Sequence, residues 1–255
     1  GGQPAGTYGT ETLPAEYSSR RRNRGFEAVA LDTDEGILYS FIQTPLANPD
    51  RPDSDGSDVI RILGIDPATG NPVSEYVYLL EDPAVRDGGR VDKIGDAVYV
   101  GDGKFKVIER DSAVGENAKK FIFEIDLTGA TNLLDPNAPA LMAGKTLEQH
   151  TGDDLEAQGI SVVNKTKVLN LPSIGYQAGD KPEGLTILPD GRLAVLNDND
   201  FGLLDQDIAG DGTVPVNPDP TPVVLGIIDF PEGNQLDASN EDGKIDIKNH
   251  PVLGM

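Results

Sequence analysis

Short runs of alternating apolar and polar residues, punctuated by turn residues, fill most of this chain. In "RRRNRGFEAVALDTDEGILYSFIQTPL" (20–46), Val29 and Leu31 lie two apart, and so in turn do Ile37, Tyr39 and Phe41. Side chains alternate faces along a strand, so this reads as two strands joined by the "DTDEG" turn. "DVIRILGID" and "SEYVYLL" predict two more strands around a "PATGN" turn. "DAVYVG", "FKVIER", "KFIFEIDL", "NKTKVLNL", "GLTILPD", "RLAVLND" and "VVLGIIDF" follow. Helical periodicity is nearly absent, and "LMAGKTLEQHTGDDLEAQG" (141–159) predicts one or two helical turns inside a loop insertion. The 30 glycines and 19 prolines punctuate the strands. The fold class is all-β, built from many short strands.

An internal repeat narrows the architecture. "FEAVALDTDEGILYSF" aligns with "PEGLTILPDGRLAVLN", matching Glu27 to Glu183, Asp34 to Asp190 and, after a one-residue slip, Gly36 to Gly191. "GDAVYVGDGKFKVIER" is a weaker copy, with Asp96 in the acid position and Asp102-Gly103 at the turn. Each unit opens on an acid, runs a strand, turns near Asp-Gly and runs back. Recurring β units of this kind predict a β-propeller-like fold, with a sandwich as the alternative. The copies begin at 27, 96 and 183, farther apart than the roughly 40–50 residues of a compact blade. The expectation is a partial or composite propeller with long loop insertions. Residues 1–19 form an N-terminal arm, 20–230 the propeller domain, and 231–255 the start of a further segment or linker. The ending "DIKNHPVLGM" is expected to run on into a larger protein, or another segment completes the ring.

Composition bounds the chemistry. Forty-three acids against 21 Lys and Arg give a net charge of -22. Such a surface repels nucleic acid and anionic membranes and attracts cations. With no cysteine, thiol catalysis, disulfides and zinc-thiolate sites are excluded. No apolar run is long enough to insert into a bilayer, and an export signal is expected to have preceded Gly1.

Two sets of residues are candidates for chemistry. The acids that open the units, Glu27, Asp96 and Glu183, would converge near a propeller axis, with Lys93 and Lys181 beside two of them. They would bind a polar ligand or metal there, or pair with one another and tie the units together. The second set ends the returning strands: Gln43, Glu109-Arg110-Asp111, and Asn197-Asp198-Asn199-Asp200. Calcium takes six to eight oxygen ligands, and "NDND" is dense in them. The alternative is an Asx-rich turn that satisfies its own backbone. "DQDIAGDGTV" and "DASNEDGKIDI" miss the EF-hand spacing and leave irregular calcium loops or plain turns. His150 and His250 are the two histidines, and neither a nucleophile elbow nor a zinc-protease motif occurs. Arg20, Arg21, Arg22 and Arg24 would meet phosphate or neutralise neighbouring carboxylates.

The segments "RRRNRGFEAVALD", "VDKIGDAVYV", "VIERD", "NKTKVLNL" and "KPEGLTILPDGRLAVLNDNDFG" resemble the phytase-like family, described as esterase-like activity of phytase. The tail "GNQLDASNEDGKIDIKNHPVLGM" resembles a segment of the choice-of-anchor I propeller proteins. The phytase-like resemblance implies a propeller-like fold, a secreted, periplasmic or cell-surface location, and Ca2+-assisted hydrolysis of a small phosphorylated substrate. In that reading Glu27, Glu109, Glu183 and Lys181 are catalytic. Lys93, Arg110 and Arg24 bind substrate, and Asp198, Asp200, Asn199 and Glu183 hold the metal. The alternative is a non-catalytic, calcium-stabilised propeller used for binding or extracellular assembly. Neither nucleic acid nor membrane insertion is expected.

Overall fold

The computed structural model describes residues 11–81, 91–204, 212–229 and 248–251. Three four-stranded antiparallel sheets follow one another along the chain, each in simple up-and-down order. The first contains β1 (Phe26–Asp32), β2 (Ile37–Ile42), β3 (Val59–Ile65) and β4 (Pro72–Leu79). The second contains β5 (Lys93–Gly101), β6 (Lys104–Arg110), β7 (Lys120–Asp126) and β8 (Asn164–Asn170). The third contains β9 (Pro182–Ile187), β10 (Leu193–Asn197), β11 (Val224–Ile228) and β12 (Lys248–Pro251). The helices are short: α1 (Arg51–Ser54), α2 (Gly152–Ala157) and a few 3-10 turns. Among the described residues no helix is long and apolar enough to cross a membrane.

Strand parity builds two core layers, one on each face of the second sheet. Val107, Phe121 and Phe123 pack with Phe41, Ile60, Ile62 and Tyr78 of the first sheet. Their chain neighbours Ile108 and Ile122 point the other way and pack with Leu185, Leu193, Val195 and Ile228 of the third. Each fully buried Leu, Ile, Val or Phe contributes about 1.5–3 kcal/mol of hydrophobic stabilisation. Strands covered on both faces therefore lose the simple inside–outside alternation, and every residue of β3 before Ile65 is buried.

The segment between β7 and β8 accounts for much of the wide spacing of the repeat. It leaves the second sheet and covers the outer edge of the first. Leu133 and Val163 donate N–H groups to the carbonyls of Glu75 and Val77 on β4, both at 2.8 Å. The edge strand's free acceptors are thereby satisfied. Leu147, Leu155 and Ile160 of this insertion pack on Val59 and Val77. Below them, buried Arg61 bonds Glu148 (Nε to Oε1, 2.7 Å) and Glu75 (3.3 Å), and the Tyr17 hydroxyl donates to Glu75 at 2.8 Å. Residues 15–19, a 3-10 turn in the N-terminal arm, thus anchor on the first sheet through Tyr17.

The sheets meet through their first strands: β5 lies between β1 and β9. The approach of β5 to β9 requires Gly95. A Cβ built there would overlap the Pro182 carbonyl oxygen and press on Ile108. Gly95→Ala should therefore lower the melting temperature by several degrees, for a cost of about 1–3 kcal/mol. Gly25→Ala, where a Cβ meets nothing within 4 Å, should leave it nearly unchanged. Thermal unfolding of the two variants checks this, and equal melting temperatures would contradict it.

Candidate functional site

All three acids that open the repeat occupy the same structural position, an irregularity at the start of the first strand of a sheet. Phe26 pairs with Ile42 but Ala28 with Phe41, so Glu27 is an extra residue. Pro182 pairs with Asn197 but Gly184 with Leu196, so Glu183 is extra in the same way. In β5 the shift falls between Ile94 and Ala97, so that Gly95 and Asp96 together oppose Ile108. A bulge kinks the strand and re-aims a side chain that regular alternation would send elsewhere.

The consequences differ between sheets. Asp96 reaches across to β9, where its Oδ2 accepts the Leu185 N–H at 2.7 Å while Oδ1 accepts the Ala97 N–H at 2.8 Å. Glu183 is met from the second sheet by Arg110, whose Nη2 donates to its Oε1. The Arg110 side chain is almost wholly buried. Its Nη1 donates to the Asp180 carbonyl at 3.2 Å, and its Nε is buried with no hydrogen-bond partner. Lys120 donates to the same Asp180 carbonyl and to the Asp111 carboxylate, each at 2.8 Å. On the outer side Lys181 donates to Asp200. The Asp198 N–H donates to the Lys181 carbonyl at 2.8 Å, which brings the two ends of the β9–β10 pair together.

These groups share one electrostatic environment. Burial pushes the Asp96 carboxyl up to about 6, against the pull of its two backbone N–H partners, and the charge of nearby Glu183 raises it further. Burial also raises Glu183; Arg110 opposes that shift and Asp198 adds to it. Burial lowers Lys120 despite its bond to Asp111. For Lys181 the burial effect is outweighed by Asp200, and its pKa is raised. Carboxylates outnumber cations where β5–β6 meet β9–β10, so this cluster favours a positive charge.

The other candidate residues have partners of their own, although Lys93 stands opposite Arg110 in the β5–β6 ladder. Glu109 and Arg110 are adjacent in sequence but point to opposite faces of the second sheet. Glu109 is completely buried towards the first sheet, where it accepts from the Tyr78 hydroxyl and from Lys165 at 2.9 Å. Lys165 also lies over the Tyr78 and Phe123 rings. Glu27 is exposed and accepts the Gly25 N–H at 3.2 Å. Arg24 donates to Gln43 at 3.1 Å, and Lys93 bonds Asp92 and Ser112. Arg21 pairs with Asp55 at 3.4 Å. Part of the "NDND" run satisfies backbone: Asn197 accepts the Val224 N–H and Asn199 donates to the Thr221 carbonyl. The loop acids at 205–211 and 237–246 lie outside the described residues.

Comparison with known families decides the kinship. The family described as "Phytase-like: Esterase-like activity of phytase" matches residues 3–201, most of the chain. The chain belongs to the phytase-like family. No curated protein and no solved structure matches it. The phytase-like match takes in all three sheet-opening acids and the 197–200 run, and it ends before the 231–255 tail.

For a phytase-like chain the donor set of this cluster suits a hard cation: carboxylates and amides, without thiol or imidazole. The described residues hold no group of three or more His, Asp or Glu close enough to cage a metal. A calcium ion here would therefore take few ligands from these side chains and the rest from water or a bound anion. Sequence motifs missed Lys120 and its bond to the Asp180 carbonyl, and for Asp96, already singled out as an opening acid, they missed the bond across to Leu185. The bulge that re-aims Asp96 is signalled only by the Gly-Asp insertion before "AVYV".

The raised carboxyl of Asp96 yields a pH prediction. Its contribution to stability is present in full below about pH 4, the ordinary value of an unfolded carboxylate, and is lost as pH rises through about 6. Asp96→Asn has no such titration. Wild type should thus hold its largest advantage over Asp96→Asn near pH 4, shrinking by pH 7, as thermal unfolding across that range would record. A gap that widens with pH would contradict the burial of this group.

Proposed function

We propose that this phytase-like chain is an extracytoplasmic, Ca2+-assisted hydrolase of phosphate esters, with its reaction centre at the mouth between β5–β6 and β9–β10. The observation that carries the reading is the bulged acid Glu183, held by buried Arg110 beside Lys181 and Asp198. Arg110 has a buried Nε without a partner, and Lys181 is held in its charged form by Asp200. Both suit a phosphoryl group, whose oxygens accept forked and charge-assisted hydrogen bonds. Burial raises the pKa of the Glu183 carboxylate, which makes it a stronger base than a solvated glutamate and suits proton transfer.

In this reading Asp198, Asp200, Asn199 and Glu183 are the residues from which a calcium ion would draw its few protein ligands, with water or the bound ester supplying the rest. Calcium, when bound, polarises a phosphoryl oxygen and makes an attached water more acidic. Glu183 takes the proton of the attacking water as its oxygen bonds to phosphorus. The phosphorus–oxygen ester bond breaks with its electron pair on the departing alcohol oxygen, which solvent protonates. Arg110 and Lys181 stabilise the charge on the phosphoryl oxygens throughout. Glu27, Glu109, Lys93 and Arg24 have no part in this step.

The same proposal takes the three sheets as consecutive blades of a β-propeller. Support comes from their common meander order and from the packing of β1, β5 and β9 side by side. Lys248–Pro251 already complete the third sheet beside β11, so in this reading further sequence or another chain supplies the remaining blades. A secreted, periplasmic or cell-surface location belongs to the reading through the family alone. A second reading, a non-catalytic calcium-stabilised propeller, is favoured by the ion pairs that already occupy Glu183 and Asp200.

Phosphomonoester release with added Ca2+, and again with EDTA, tests the proposal. Turnover should require the ion, and Glu183→Ala should lower kcat/KM by about 100-fold or more. Asp198→Ala should raise the Ca2+ concentration needed for half-maximal rate. The absence of turnover with any divalent ion, or undiminished turnover in Glu183→Ala, would overturn the hydrolase reading. A melting temperature that falls in EDTA without turnover would favour the second reading.

A further inference from the structure

Among the described residues, every phenylalanine but one is buried or packed against the core. Phe201 is 93% exposed. It is also held in a backbone conformation that aromatic residues rarely adopt. Asp200 has φ 53°, Phe201 φ 58° and Gly202 φ 68°, a run of left-handed residues that continues through two non-glycine positions. Each left-handed non-glycine residue costs about 1–2 kcal/mol. Strain of this kind persists only where surrounding bonds over-determine it, and it clusters at ligand-binding sites.

Those bonds are present. The Asp200 N–H donates to Asp198 Oδ1 at 3.1 Å. The Gly202 and Leu203 N–H groups donate to the carbonyls of Asn199 and Asp200, both at 3.0 Å. The Asn217 N–H caps the Gly202 carbonyl at 2.8 Å. The loop is therefore built to hold an aromatic ring in water. The residue before that ring carries the carboxylate bonded to Lys181, and Lys181 lies two residues from Glu183.

We propose that Phe201 is a specificity-determining contact of this site, and that the favoured esters carry a flat aromatic ring on the alcohol side of the phosphate. The proposal rests on the hydrolase reading for what happens to the ester, and on the loop for how the ester is held. An exposed ring face stacks well on another flat ring, typically for about 1–3 kcal/mol. A polyhydroxylated alcohol gains little from it, since its hydroxyls stay better solvated by water. The anionic end would meet Lys181 and Arg110 while the ring lies on Phe201.

The sequence has no tryptophan, so Phe201→Trp places a single indole fluorophore at the contact. Titration of that variant with phenyl phosphate in Ca2+ should change its indole emission saturably, and glycerol 2-phosphate at equal concentration should not. In turnover assays, Phe201→Ala should raise KM for 4-nitrophenyl phosphate about tenfold, the equivalent of 1.4 kcal/mol. It should leave kcat/KM for glycerol 2-phosphate within about twofold. Equal losses on both substrates, or emission that ignores phenyl phosphate, would overturn the proposal. If wild type hydrolyses neither ester, the hydrolase reading fails, and the titration of Phe201→Trp still decides the ring contact alone. Phe201→Gly should melt no lower than wild type, because glycine relieves the left-handed strain. A clearly lower melting temperature would mean that the ring serves packing, and would overturn the proposal too.

Discussion

The whole arrangement depends on the close seating of β5 against β9. Gly95 permits the approach by having no side chain, and Asp96, turned by its bulge, accepts the Leu185 N–H across the gap. Arg110 and Lys120 then reach from the second sheet to the Asp180 carbonyl, and Arg110 continues to Glu183. Taking such charges out of water costs several kcal/mol per ion, and the cost is offset only when each is paired and hydrogen-bonded. One misplaced strand would leave several buried charges without partners at once. The polar seam therefore specifies how the second and third sheets pack, while the apolar layers on either side supply the bulk of the stabilisation.

The same seam makes the site. A bulge at the start of a strand is a mild defect in a ladder, but repeated at Glu27, Asp96 and Glu183 it delivers an acid to the same place in each sheet. What the neighbouring sheet offers decides the acid's role. Where the second sheet covers it, Glu183 becomes a half-buried carboxylate whose pKa burial raises, held there by its pair with Arg110. Where only its own Gly25 N–H is at hand, Glu27 stays an exposed surface acid. The surplus of carboxylates over cations is what the proposed cation site rests on, and Phe201 follows Asp200, the partner of Lys181, in the loop after β10.

Much of this was legible in the sequence. The strands were readable from alternation and turn residues, and the acid–strand–turn–strand recurrence marks the start of each sheet, although in β1 the large apolar Val29 and Leu31 face outward and the small Ala28 and Ala30 are buried. Proximity of Glu183 to Asp198 follows from the antiparallel return of one strand onto another. Other parts were not legible, for identifiable reasons. Glu109 and Arg110 look like one charged cluster in sequence, yet strand alternation sends them to different sheets, one to Tyr78 and one to Glu183. Parity puts the two on opposite faces, but which sheet covers each face is seen only when Val107 and Ile108 are followed into their separate cores. The partnership of Lys120 with the Asp180 carbonyl could not be read, because no local pattern relates residues so far apart. Nor could the wide repeat spacing be explained without seeing the β7–β8 insertion cover the edge of another sheet.

The most direct test of this seam is a double-mutant cycle in urea unfolding, using Arg110→Met, Glu183→Gln and the two combined. If the buried pair joins the second and third sheets as described, the changes should be non-additive, with a coupling energy of about 1–3 kcal/mol. Additive effects, within about 0.3–0.5 kcal/mol, would mean that Arg110 and Glu183 do not hold one another, and the proposed mouth would lose its foundation.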